Sequence, residues 1–241
     1  MTGVLYVGTS GFAYPDWAPR FYPAGTRASR LLAEYAIRLS AVELNNTFYQ
    51  QPRPERVAAW LAATPDSFRF IVKAQRGGSL RAFGAAAPET IAWLTTPYRL
   101  FGERLGSVLY RVPGAIKRDD DRLAALLGAW PRDLPLTIEF QHPSWIDDSV
   151  LALLRASNAV LCATDIDDVP PPDLRLTGPF AYVRLRRTSY SSADLDDWAA
   201  RLVPFLSDGR NAYVFLRHDA EGEAALRASA LRDRVERLLD S

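Results

Sequence analysis

The stretch Leu-Thr-Ile-Glu-Phe-Gln at residues 136–141 decides the fold. Side chains alternate between the two faces of a strand. Leu136, Ile138 and Phe140 therefore share one face, and Thr137, Glu139 and Gln141 the other. Such a strand calls for helices over its apolar face and a polar space at its charged end. The design recurs along the chain. Val-Glu-Leu-Asn-Asn (42–46) sets Glu43 and Asn45 opposite Val42 and Leu44, and Tyr-Val-Arg-Leu-Arg-Arg (182–187) sets Arg184 and Arg186 opposite Val183 and Leu185. Lys73, Arg111, Asp165 and Arg217 end four further apolar segments. Burying unpaired charge is costly, so charges gathered at one end of a sheet require mutual pairing or a polar ligand.

Working outward, eight β-rich apolar segments can be counted, at 5–9, 41–46, 68–74, 107–112, 136–141, 160–165, 180–186 and 212–217. Helical patterns lie between most of them. One covers 29–39. Another opens at Pro54, with Val57, Trp60 and Leu61 on one face, and Leu123, Leu126, Leu127 and Trp130 form a third stripe. Ser144 with Asp147 reads as a capping box for a helix over 144–156, and Ser191 with Asp194 does the same for a helix carrying Leu195, Trp198, Leu202 and Phe205. A last helix covers about 220–239. Pro97 divides 88–104 into two short helices. The proline-rich stretch 167–178 predicts an irregular loop in place of the sixth helix. Alternation of this kind predicts a parallel sheet. Eight repeats in 241 residues point to an α/β fold of the (β/α)8 TIM-barrel type, one domain over 1–241. An open doubly wound sheet is the alternative, disfavoured because Gly8-Thr-Ser-Gly11 after the first strand lacks the Gly-rich phosphate fingerprint.

Composition excludes several classes. Hydrophobic residues make up 48% of the chain, enough for a large core, and net charge is only +1, so no global field draws the chain to nucleic acid or an acidic membrane. Cys162 is the single cysteine, which rules out a disulfide within the chain and suits a reducing compartment. No apolar run reaches membrane-spanning length and no signal peptide is read at the N-terminus. A cytoplasmic protein without membrane association is expected. Nothing in the sequence sets its oligomeric state.

The segments GTSGFAYPDW (8–17), VELNNTFYQQP (42–52), RLGSVLYRVP (104–113), IEFQHPSW (138–145), YVRLRRTSY (182–190) and YVFLRHD (213–219) resemble, in order, the YecE-like family, also called domain of unknown function 72. The resemblance implies a TIM-type barrel and no established reaction. A distant likeness of that family to barrel endonucleases acting on abasic DNA has been suggested. Two stretches depart from the family pattern: AQRGGSLRAFG (74–84) stands where a Thr-His pair is usual, and Leu216-Arg217-His218-Asp219 where Asn-Asn is usual.

In a TIM barrel the C-terminal ends of the strands carry the site. By alternation the inward set holds three acids, Glu43, Glu139 and Asp165, and five bases, Lys73, Arg111, Arg184, Arg186 and Arg217. That excess of positive charge favours a small anion. The expected enzyme is of hydrolase or lyase type, acting by acid–base chemistry on a sugar phosphate or nucleotide-derived compound. Glu139 and Glu43 would be the acid/base pair, with His142 following Glu139. Lys73, Arg184, Arg186 and Asn45 would hold the anion, and Asp165 would orient one of those cations. Tyr14, Trp17 and Tyr190 are the rim aromatics expected to touch the ligand, and residues 186–192 offer a helix N-terminus for a phosphate. No organic cofactor is implied. With only two histidines, His142 and His218, a three-histidine zinc site is impossible; a divalent Mg²⁺ or Mn²⁺ site on Glu43, Glu139 and Asp165 stays open but is disfavoured by the surrounding arginines. Two other readings stand: a nucleic-acid binding or processing protein that uses the aromatic, arginine-rich rim, and a scaffold whose rim charges are all paired.

Overall fold

The computed structural model describes residues 1–240. The eight apolar segments form eight parallel strands closed into a barrel in sequence order. They are β1 (Leu5–Ser10), β2 (Ala41–Leu44), β3 (Arg69–Lys73), β4 (Leu105–Val112), β5 (Leu136–Phe140), β6 (Val160–Asp165), β7 (Phe180–Leu185) and β8 (Asn211–Leu216). Closure runs through the β1–β8 pair, with Tyr6 beside Tyr213 and Gly8 beside Phe215. The helices are α1 (Leu31–Arg38), α2 (Pro54–Ala62), α3 (Arg76–Ala85), α4 (Pro88–Thr95), α5 (Asp120–Ala129), α6 (Asp148–Ala156), α7 (Ser192–Ser207) and α8 (Glu223–Leu239). The third connection holds two helices, and the sixth, residues 166–179, holds none. The latter is the irregular loop expected from its prolines.

Strand alternation sorts the interior into two cores. Val42, Leu44, Val72, Val108, Ile138, Val183 and Leu185 face outward and bury against the helices. Tyr6, Ile71, Leu109, Cys162, Phe180, Tyr182, Tyr213 and Phe215 fill the barrel itself. Tyr6 stacks on Tyr213 at 4.8 Å and Phe180 meets the same ring edge-on at 4.9 Å, so the lower barrel is an aromatic plug. Each fully buried large side chain contributes about 1.5–3 kcal/mol. Toward the strand C-termini apolar filling gives way to charge: inward positions on β4 run Ser107, Leu109, Arg111, and on β5 Thr137, Glu139. The site lies on top of the plug, at the C-terminal ends of the strands.

Two local features position that end. A Cβ on Gly8 would lie 1.8 Å from the Ala41 carbonyl oxygen, so only glycine allows β1 and β2 to approach here. The Tyr35 hydroxyl from α1 enters the gap, accepts from the Thr9 amide (2.8 Å) and donates to the Ala41 carbonyl (3.0 Å). α3 is a helix the sequence pattern did not predict, because Gly77 and Gly78 lower its propensity by about 1 kcal/mol each. Tertiary packing overrides that loss: Gly78 lets Trp93 of α4 approach to where a Cβ would meet its ring at 2.6 Å, and Gln75 caps the helix by accepting from the Gly78 amide (2.6 Å).

The capping box expected at Ser144 and Asp147 does not form. Asp147 itself is the N-cap of α6 and accepts from the Ser149 amide (3.0 Å), while Ser144 sits in a preceding short 3-10 turn, Pro143–Trp145. The Ser191–Asp194 box forms at α7 in both directions. No helix among the described residues is long and apolar enough to cross a membrane.

Candidate active site

Two glutamates and one arginine form the platform above the aromatic plug. Glu43 ends the inward face of β2, Glu139 that of β5 and Arg184 that of β7, and all three are buried. Arg184 donates to both acids: Nε to Glu43 Oε1 (2.9 Å), Nη2 to Glu43 Oε2 (2.9 Å) and Nη1 to Glu139 Oε1 (2.7 Å). Glu43 also accepts from Ser10 Oγ (2.8 Å) and Tyr182 Oη (2.8 Å), and lies 3.1 Å from Lys73 Nζ. Glu139 also accepts from Arg111 Nε (2.6 Å) and Thr164 Oγ1 (3.1 Å). Burying these charges is tolerable because each carboxylate accepts from several donors and Arg184 donates to both acids.

These contacts set the ionisation. Burial alone would raise the Glu43 carboxyl, but the charges of Arg184 and Lys73 outweigh it and hold the group well below the usual carboxylate range. Burial works against Glu139 too, and Arg184 with Arg111 pulls it below its ordinary value. Lys73 behaves differently. Burial pushes its ammonium down to about 8, against the pull of Glu43 and helped by repulsion from Arg184 and Arg186. Both acids are therefore held as anions, and burial makes the lysine the platform cation whose charge is most easily given up.

The next layer opens to solvent. Lys73 Nζ donates to Asn45 Oδ1, and Asn45 Nδ2 donates to the Ser10 carbonyl (2.9 Å) and to Tyr14 Oη (3.3 Å). Tyr14 stacks on His218 at 4.9 Å. The Arg111 guanidinium lies over the Phe48 ring at 5.5 Å. Arg186 projects from just beyond β7, half-buried, and its guanidinium has no hydrogen bond or ion pair among the described residues. Burial, then the charge of Arg184, lowers its pKa from the ordinary value, against the pull of Glu43 and Glu139. The mouth sets two carboxylates against Lys73, Arg111, Arg184 and Arg186, an excess of two positive charges.

Several expected residues lie elsewhere. Asp165 was expected to face inward. On β6 it is Cys162 and Thr164 that face the interior, and Asp165 points into the helix layer. There it accepts from Arg187 Nε (2.9 Å), Tyr190 Oη (3.1 Å) and Trp198 Nε1 (3.1 Å), and so fastens α7 and its leading loop to β6. It orients none of the mouth cations, and the three carboxylates do not converge. Tyr190, with its hydroxyl on Asp165, is buried. Trp17 is wholly buried too, its indole N–H on the Asp219 carbonyl (2.9 Å) and its ring against Phe21 and Tyr22. Trp17 cannot stack on a ligand and Tyr190 only borders the small cavity between β7 and β8, whereas Tyr14 is part of the mouth. His142 Nδ1 contacts Ser144 Oγ (2.8 Å) and accepts from the Ser144 amide (3.1 Å), which shapes its own turn, and no hydrogen bond joins it to Glu139 or Glu43 among the described residues.

The phosphate quadrant between β7 and β8 holds a cavity of about 170 Å³ lined by Arg187, Thr188, Arg217 and His218. Both helix N-termini beside it are already occupied. Asp194 and Ser191 cap α7, and Asp219 accepts from the amides of Glu221, Glu223 and Ala224 at α8. Carboxylates therefore hold the places a phosphate would take. A larger cavity of about 330 Å³, lined by Trp130, Arg132 and Asn158, lies at the opposite end of the strands, so cavity size does not mark the charged site. Sequence reasoning missed Ser10, Tyr182 and Thr164 as platform donors. For Ser10 the inward phase was the available signal, since it follows Tyr6 and Gly8 at alternating positions, whereas the apolar run of β6 gave none for Thr164.

The family model described as "Protein of unknown function DUF72" matches residues 6–240. The chain belongs to the DUF72 family. A DUF72 family protein of Thermotoga maritima superposes with a TM-score of 0.84 at 27% identity, over 97% of this chain and 99% of that one. A DUF72 family protein of Enterococcus faecalis gives 0.76 at 22% identity, over 99% and 98%. Among curated relatives, UPF0759 protein YunF of Bacillus subtilis is 23% identical over 92% of this chain and 91% of its own. UPF0759 protein YecE of Escherichia coli is 26% identical over 59% of this chain and 50% of its own. The family is uncharacterised, so function has to be argued from the mouth of the barrel.

Proposed function

We propose that this DUF72 protein is an enzyme that binds a small anionic substrate at the barrel mouth and moves a proton there through Lys73. The observation that carries the reading is Arg186: a half-buried guanidinium with no hydrogen bond or ion pair among the described residues, beside a platform whose acids already accept from several donors. Guanidinium matches phosphate and carboxylate geometry and does not deprotonate, so an incoming anion is the partner best suited to its charge. Arg111 and Lys73 face the same space. Glu43 and Glu139 act in this reading as positioning groups that hold Arg184 and Lys73, because their lowered pKa values suit neither a general acid nor a base near pH 7. The nucleic-acid reading is weaker: Trp17, Phe21, Tyr22 and Tyr190 are packed inside, leaving few free rings for stacking bases.

The test is thermal unfolding against inorganic phosphate and phosphorylated sugars. Stabilisation follows RT ln(1 + [L]/Kd), so phosphate at 100-fold its Kd adds about 2.7 kcal/mol. Arg186→Gln should remove most of that gain while leaving the ligand-free midpoint in place. A phosphate response unchanged in Arg186→Gln refutes the proposal. A response to oligonucleotides alone, falling steeply with salt, would replace it with the nucleic-acid reading.

A further inference from the structure

Positive charge in this chain is almost entirely arginine. Of 29 basic residues only Lys73 and Lys117 are lysines. Arginine supplies charge that cannot be discharged, and lysine supplies an amine that can. Lys117 is exposed, whereas Lys73 is buried at the end of β3. Every other cation of the platform and mouth is an arginine. A position that needed only charge beside Glu43 would be served as elsewhere in the molecule.

The geometry around Nζ is that of a held nucleophile. Asn45 Oδ1 and Glu43 Oε2 take two of its three N–H directions, and the third has no acceptor among the described residues. β3 and β7 lie on opposite sides of the eight-stranded barrel, so Lys73 and Arg186 face one another across the mouth. A desolvated lysine beside other cations is the arrangement that supplies a free amine near neutral pH.

We infer that Lys73 forms an imine with a small aldehyde or ketone that also carries a carboxylate or phosphate, the anion lying on Arg186. This rests on the proposed anion site. Lys73 first releases one proton to solvent. The amine lone pair then bonds to the carbonyl carbon as the C=O π pair moves onto oxygen. One nitrogen proton passes to that oxygen, giving the carbinolamine. A second proton, from solvent, lets the oxygen leave as water, and the nitrogen lone pair closes the C=N bond. The iminium keeps the positive charge that Glu43 was already pairing.

The test incubates the whole protein with pyruvate, glyoxylate or dihydroxyacetone phosphate in the presence of cyanoborohydride, which reduces an iminium to a stable secondary amine. Peptide mapping by mass spectrometry then compares Lys73 with Lys117, an internal control in the same molecule. The expected result is labelling of Lys73 at least tenfold over Lys117 with at least one probe, suppressed by excess inorganic phosphate. Labelling of Lys73 no greater than of Lys117 with all three probes overturns the inference. The phosphate thermal shift, measured on the same preparation, separates the two claims. If the shift persists and trapping fails, the imine falls and the anion site stands. If neither appears, both fall.

Discussion

Glu43 and Asp165 are both wholly buried carboxylates at the ends of barrel strands, and both are paired with arginine. Their surroundings give them opposite roles. Glu43 looks into the barrel and, with Arg184 and Glu139, makes the floor of a solvent-facing mouth. Asp165 looks into the helix layer and ties Arg187, Tyr190 and Trp198 to β6, a purely internal fastening. A strand-end charge is therefore not a site residue by virtue of its position. The phase of the strand decides, because one step along a strand moves a side chain from one face to the other.

This contrast can be broken by measurement. Glu43→Ala should have the largest effect. It leaves Arg184 and Lys73 buried beside an empty place, at a cost of about 3–5 kcal/mol, read from the denaturant midpoint. The phosphate response should be lost with it. A variant of near wild-type stability would mean that the platform is not a tightly coupled unit.

Acid should act on the same region. Glu43 and Glu139 have folded pKa values below their unfolded ones, so the folded state binds fewer protons than the unfolded chain at mildly acid pH. Their contribution is complete above the unfolded value of about 4.3 and drains away as pH falls below it. Urea midpoints from pH 7 to pH 3 should drop below about pH 4.5, and Glu139→Gln should flatten that fall. A midpoint level across the range would deny the coupling.

Asp165→Asn comes next. It removes the charge from three hydrogen bonds and should lower stability by about 1.5–3 kcal/mol. It should leave the phosphate-induced shift of the remaining folded protein intact. If Asp165→Asn abolishes that shift, the division between mouth and fastening is wrong. Ser191→Ala is the smallest test. Loss of the α7 capping box should cost about 1 kcal/mol, with no change in phosphate response. A changed response would return the α7 N-terminus to the binding site.

Much of this arrangement was legible beforehand, for identifiable reasons. Glu43, Glu139 and Arg184 sit in strands where polar and apolar residues alternate cleanly, so their phase could be read directly. β6 reads Val-Leu-Cys-Ala-Thr-Asp, apolar on both faces for four residues, and carries no phase signal. Asp165 was misplaced for that reason. Trp17 read as a free rim aromatic because its partner, the Asp219 carbonyl, is 202 residues away in sequence. α3 was invisible because its helix depends on Trp93 packing against Gly78.

The sequence by itself determined the strand count, the alternation with helices, the irregular sixth connection and hence the closed barrel. Those are consequences of local periodicity and of proline, which every residue carries in its own neighbourhood. It also determined that arginine would dominate the charge and that one lysine would stand among the strand-end cations. Only the tertiary structure decided which charges are spent on one another. Arg184 bridges two acids from β2 and β5, Arg187 is taken by Asp165, and Arg186 is left over. Pairing of that kind depends on distances between strands remote in sequence, and in a low-dielectric interior those distances set both the protonation and the remaining charge.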